Sequence, residues 1–70
     1  MTLTYRTDYT PDDGKTIEVS DPMTREQAMR QAAYLSRTYG TAYAIASDGK
    51  RDTGQRVYQD GRFAYQDDKF

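Results

Sequence analysis

Residues 55–67, QRVYQDGRFAYQD, alternate large and polar side chains around one Asp-Gly pair, and their reading sets the architecture of the whole chain. Asp-Gly between alternating segments signals a two-residue hairpin, because a type I′ turn needs positive φ at both central positions. A turn centred on Asp60-Gly61 makes Gln59 face Arg62, Tyr58 face Phe63, Val57 face Ala64 and Arg56 face Tyr65. One side of the hairpin then carries Arg56, Tyr58, Phe63 and Tyr65; the other carries Gln55, Val57, Gln59, Arg62, Ala64 and Gln66. Left exposed, the aromatic side would be a base-stacking platform like those on RNA-binding sheets. Volume favours burial instead. Leu, Ile, Val and Phe occur only twice each, so Tyr58, Phe63 and Tyr65 are expected on the inner face, with Arg56 snorkelling at its rim.

An inner sheet face needs a helix to cover it, and residues 21–40, DPMTREQAMRQAAYLSRTYG, supply one. Thr24 and Gln27 have capping-box spacing, with Met23 and Ala28 placed as a hydrophobic staple. Glu26 suits the positive end of the helix, Arg37 the negative end, and Gly40 its stop. Ala28, Ala32, Leu35 and Tyr39 form one stripe, flanked by Met29 and Ser36; Gln27, Arg30, Tyr34 and Arg37 face away. Ahead of it, TLTYRTDY (2–9) lines up Leu3, Tyr5, Thr7 and Tyr9, and KTIEVS (15–20) pairs Ile17 with Val19. These sets share a face if the loop around PDDG has an odd number of residues, three or five, since side chains alternate with period two. After the helix, TAYAIAS (41–47) sets Tyr43 and Ile45 against Ala42, Ala44 and Ala46, and SDGKRDTG (47–54) is a polar loop. The expected fold is a single α+β domain over 1–70 in ββαβββ order: a mostly antiparallel four- to five-stranded sheet with one helix on one face.

Composition fits a small domain with a slender core. Seven Tyr and seven Ala stand in for the scarce aliphatics, so tyrosine rings packed on alanines are expected to form the interior. The formal charge of −1 lacks the excess typical of disordered chains. It hides a gradient. Residues 1–21 hold five acids and two bases, whereas residues 22–62 hold seven bases and four acids. This is neither the strongly basic balance of a dedicated DNA binder nor the acidic one of a DNA mimic. No basic-then-apolar leader opens MTLTYRTDY, and no apolar run is long enough for a bilayer, so a cytoplasmic location is expected.

Chemistry-bearing residues are few. Without Cys or His there is no thiolate site, and the commonest general base and transition-metal ligand are missing. GKRDTG (49–54) has the glycine spacing of a phosphate loop, but Gln55 and Arg56 stand where Lys and Ser or Thr are required. Lys50 occupies a ligand position of the Ca2+ loop that Asp48 would open. Asp12-Asp13 and Asp67-Asp68 read as solvated turn and tail. We expect no enzyme activity, no metal and no cofactor.

Binding surface remains. Arg outnumbers Lys seven to three, and Tyr and Arg are the types enriched at interface hot spots. The expected partner-binding residues are Arg30, Tyr34 and Arg37 on the outer helix face, Lys50 and Arg51 in the loop, and Arg56 and Arg62 on the hairpin. The sheet face away from the helix, expected to bear Arg6, Ala44, Val57, Arg62 and Ala64, is a second candidate that a homodimer could also use.

Taken in order, the short strand pair, MTREQAMRQAAYLSRTYG (23–40), TAYAIAS (41–47) and VYQDGRFAY (57–65) resemble the small type I anti-CRISPR proteins of phages and mobile elements. The likeness is to the one-helix, five-strand members that bind backbone subunits of the Cascade surveillance complex, and it is one of architecture and spacing. It implies a non-enzymatic inhibitor without cofactor that occupies the guide-RNA complex and keeps target DNA from pairing. Basic residues of such members also meet nucleic acid, which would suit Arg30, Arg37, Lys50 and Arg51. The other readings are a small nucleic-acid-binding accessory protein using Lys50, Arg51, Arg56 and Arg62, and a homodimer joined through an edge strand.

Overall fold

Thr24 opens the helix with both halves of a capping box. Its side chain accepts from the Gln27 N–H, and the Gln27 side chain accepts from the Thr24 N–H at 3.0 Å. The computed structural model describes residues 3–11 and 14–70, and of residues 20–22 the backbone alone. In it the chain runs β1 (Thr4–Thr10), β2 (Ile17–Met23), α1 (Arg25–Tyr39), β3 (Thr41–Ser47), β4 (Asp52–Gln59) and β5 (Arg62–Gln66). The fold is α+β in ββαβββ order, with an antiparallel sheet ordered β2-β1-β3-β4-β5 and α1 packed over β1, β3 and β4. Gly40 ends α1 at φ 103°, its N–H returning to the Ser36 carbonyl.

The helix stripe falls as its spacing requires. Ala28, Ala32 and Ser36 are fully buried and Leu35 nearly so; Tyr39 is partly exposed but stacks on Tyr9 with centroids 4.1 Å apart. Tyr9 pairs with Ile17 and Thr7 with Val19, so both sets share the helix side as expected. The hydroxyls of Thr10 and Thr16 meet at 3.0 Å, bracketing a five-residue connection. Asp12-Asp13, and the Asp13 half of the Asp13-Gly14 turn, lie outside the described residues.

The central strand reverses one expectation. Ala42, Ala44 and Ala46 are fully buried beneath the helix, and Tyr43 and Ile45 take the other face. Ala44 therefore does not belong to the open face; Arg6, Val57 and Arg62 do. The expected packing of tyrosine rings on alanines is found at the margins of this layer, not at its centre. Here alanine meets alanine at the centre, which lets the two layers approach closely, and Tyr5, Tyr9, Tyr58 and Phe70 fill the margins.

Phe70 belongs to no strand. The tail turns back from β5, with the Asp67 N–H donating to the Gln55 carbonyl and the Phe70 N–H to that of Asp67. The Phe70 ring sits edge-on to Tyr5 at 5.7 Å, with the Arg25 guanidinium over it at 4.7 Å. The tail can cross because Gly54 has no side chain: a Cβ there would lie 2.4 Å from the Lys69 carbonyl carbon. Residues 67–70 thus form a strap over β4, with Asp68 and Lys69 exposed on it as a solvated tail would have them and Phe70 buried at its end.

Candidate binding surface

Asp60 (φ 53°) and Gly61 (φ 84°) adopt the positive φ values of a type I′ turn. Buried Ser36 fastens this turn to the helix. Its hydroxyl accepts the Gly61 N–H at 2.9 Å and donates to the Ala33 carbonyl, while the Asp60 N–H donates to the Gly40 carbonyl at 3.1 Å. Next to the turn, Gln59 pairs with Arg62 and Tyr58 with Phe63, as the turn position dictates. Beyond that the register shifts. Val57 pairs with Tyr65 and Arg56 with Gln66, so Ala64 is an extra residue on β5, a β-bulge.

That single residue splits the aromatic cluster expected on one inner face. Tyr58 is buried, at 7% exposure. Phe63 keeps the helix-side face, but the helix barely reaches β5, and the ring is 53% exposed. Tyr65 is turned to the opposite face beside Val57 and is also 53% exposed. All five residues of β5 are exposed, and β5 is an edge strand. The expected burial of Phe63 and Tyr65 is thereby overturned. Phe70 does the work assigned to them; it follows the polar residues 66–69 and belongs to no alternating run that would mark it as core.

Arg56 is half-buried rather than free. Its Nε donates to the Tyr58 hydroxyl at 2.7 Å, its Nη1 donates to the Gln66 side-chain oxygen, and its guanidinium carbon lies 4.2 Å from the Phe63 ring centroid. Arg62 is exposed on the opposite face, across from Gln59. Arg37 lies along the hairpin turn, its Nε 3.0 Å from where a Gly61 Cβ would be. A shallow depression at the hairpin is lined by Gln59, Asp60, Arg62, Phe63 and Ala64. Arg30 and Tyr34 share the outward helix face, where Tyr34 is 65% exposed.

Lys50 and Arg51 lie elsewhere. They belong to the β3–β4 loop, at the end of the sheet opposite the β4–β5 turn, about 25 Å away at the rise of the eight-residue β4. The Asp48 carboxylate accepts both their backbone N–H groups, at 2.9 and 3.0 Å, which holds it below the usual carboxylate range. Both side chains project outward. The expected partner-binding residues therefore fall into three groups: Arg37, Arg56 and Arg62 at the hairpin, Arg30 and Tyr34 on the outward helix face, and Lys50 and Arg51 at the far loop.

On the open face, Arg6 is occupied by acids. It donates to both Asp52 oxygens, the closer at 2.6 Å, and to Asp8 at 3.1 Å, with Glu18 at 4.0 Å. The paired guanidinium holds the Asp52 carboxyl below its ordinary value, and the same contacts raise the pKa of Arg6. Among the described residues, every ion pair involves Arg6, and no group of three or more acidic side chains is placed to hold a metal ion. Among the described residues, no helix is long and apolar enough to cross a membrane. No family model, curated protein or solved structure matches the chain.

Proposed function

We propose that this chain is a non-enzymatic protein-binding module whose contact surface is centred on the β4–β5 hairpin. The observation that carries the reading is the half-exposure of Phe63 and Tyr65 on an edge strand flanked by Arg56 and Arg62. A chain with two phenylalanines that leaves one in solvent gives up core where core is scarce. Tyrosine and arginine concentrate binding energy at protein interfaces because each covers a large area and still forms hydrogen bonds, and the Phe63 ring adds apolar area beside them.

The finer form of the proposal is an anti-CRISPR inhibitor, acting in the bacterial cytoplasm on a type I Cascade complex and blocking target DNA recognition. Its support is the likeness of layout: one helix, five strands and an aromatic hairpin. The test is capture of purified type I surveillance complexes by the immobilised protein, with target-DNA binding measured on the captured complex. Capture with loss of DNA binding is expected; absence of capture across the subtypes sinks the anti-CRISPR form. The runner-up, a nucleic-acid accessory protein, draws on exposed Lys50 and Arg51 and requires affinity that falls steeply with salt as counterions are released. A flat salt response disposes of it.

A further inference from the structure

We propose that β5 receives an extended segment of the protein partner as a sixth strand, and that this segment carries a carboxylate over the face where Arg56 lies across Phe63. The inference rests on the protein-binding reading and specifies how the contact is made. Among the described residues β5 pairs with β4 alone, and its outer edge presents a row of backbone donors and acceptors to an incoming strand.

Arg56 makes that edge selective. Although it starts on β4, its guanidinium reaches over β5, against Phe63 and onto Gln66. The Tyr58 hydroxyl takes the Nε–H and Gln66 takes one Nη1–H, which leaves three of the five guanidinium protons for a ligand. A planar fork held against a ring is pre-ordered for a carboxylate. Charge around the strand agrees. β5 itself holds Arg62 and no acid, Arg37 lies along the turn, and the nearest acids in sequence, Asp60 and Asp67, lie beyond its two ends.

The bulge opposes a second copy of this chain paired symmetrically about the middle of β5. Two identical strands paired about a twofold axis at Ala64 would set Phe63 opposite the other copy's Tyr65. Those residues point to opposite faces, as do Arg62 and Gln66, so the pairs are out of phase. A different strand, of acidic and regular alternation, has no such conflict.

The test is NMR titration of the 15N-labelled protein with a short capped peptide of alternating Val and Glu. Amide shifts and slowed hydrogen exchange are expected across 62–66. Affinity should fall about tenfold or more in Arg56→Gln, with no rescue by Arg56→Lys, as the loss of a charge-assisted pair implies. It should fall less in Arg62→Gln, an exposed site that guards against a folding artefact at Arg56. A peptide N-methylated at alternate residues should not bind. Perturbations centred elsewhere, equal affinity for a Val-Lys peptide, or undiminished binding of the N-methylated peptide would overturn strand addition. If the partner captured as above is still held by Arg56→Gln at full affinity, strand addition fails while protein binding stands.

Discussion

Gly54 shows how much one missing side chain decides. A methyl group there would meet the backbone of Lys69 and Phe70 at 2.4–2.7 Å, and backbone cannot rotate aside as a side chain can. Gly54→Ala should therefore lift the tail and cost about 1–3 kcal/mol, read from urea unfolding. Phe70→Ala should cost about 3 kcal/mol, toward the lower end for a buried aromatic. Because both changes release one strap, the double variant should cost clearly less than the sum; full additivity would mean the strap is not a unit. Arg6 and Asp52 give a second test. Asp52 in the folded chain holds its proton less readily than in the unfolded chain, so its stabilisation is complete above the ordinary carboxylate value and is lost as pH falls through the lower folded value. Stability measured against pH should thus decline less steeply below about pH 4 in Asp52→Asn. An unchanged slope would remove the pair from the balance.

At the scale of elements, helix and hairpin turn were legible for the same reason: each is specified by residues adjacent in the chain. The capping box needs only Thr24 and Gln27, and the type I′ turn only Asp60 and Gly61. The bulge was not legible. Whether β5 takes an extra residue depends on packing against β4 and on where the helix ends, and nothing in RFAYQ marks Ala64 as the inserted one. Removing Ala64 makes the role of the bulge measurable. The pairs Tyr58–Phe63, Val57–Tyr65 and Arg56–Gln66 already stand on either side of it, so the deletion variant should fold with them intact. It should also lose the phase conflict that opposes self-pairing. Sedimentation is expected to show concentration-dependent dimers in that variant; a monomer at high concentration would mean that the bulge does not guard the edge.

For the whole molecule, the two basic regions lie at opposite ends of the sheet, on a body whose longest extent is 35 Å. If the hairpin makes the contact, Lys50→Ala with Arg51→Ala should leave partner affinity within about twofold, whereas Phe63→Ala and Tyr65→Ala should each weaken it about thirtyfold or more, the size of an interface hot spot. The reverse pattern would move the site to the β3–β4 loop. Residues near one another in the chain were enough to establish the element order, the helix with its caps and inner stripe, and the turn, because hydrogen-bonding reach and side-chain periodicity are local. Which face of β3 lies inward, where Phe70 goes and which aromatics stay in solvent were settled only by assembly. Close packing is a competition among distant residues for one small volume, and here alanines beneath the helix and a tail phenylalanine won the space that pattern alone assigned to Phe63 and Tyr65.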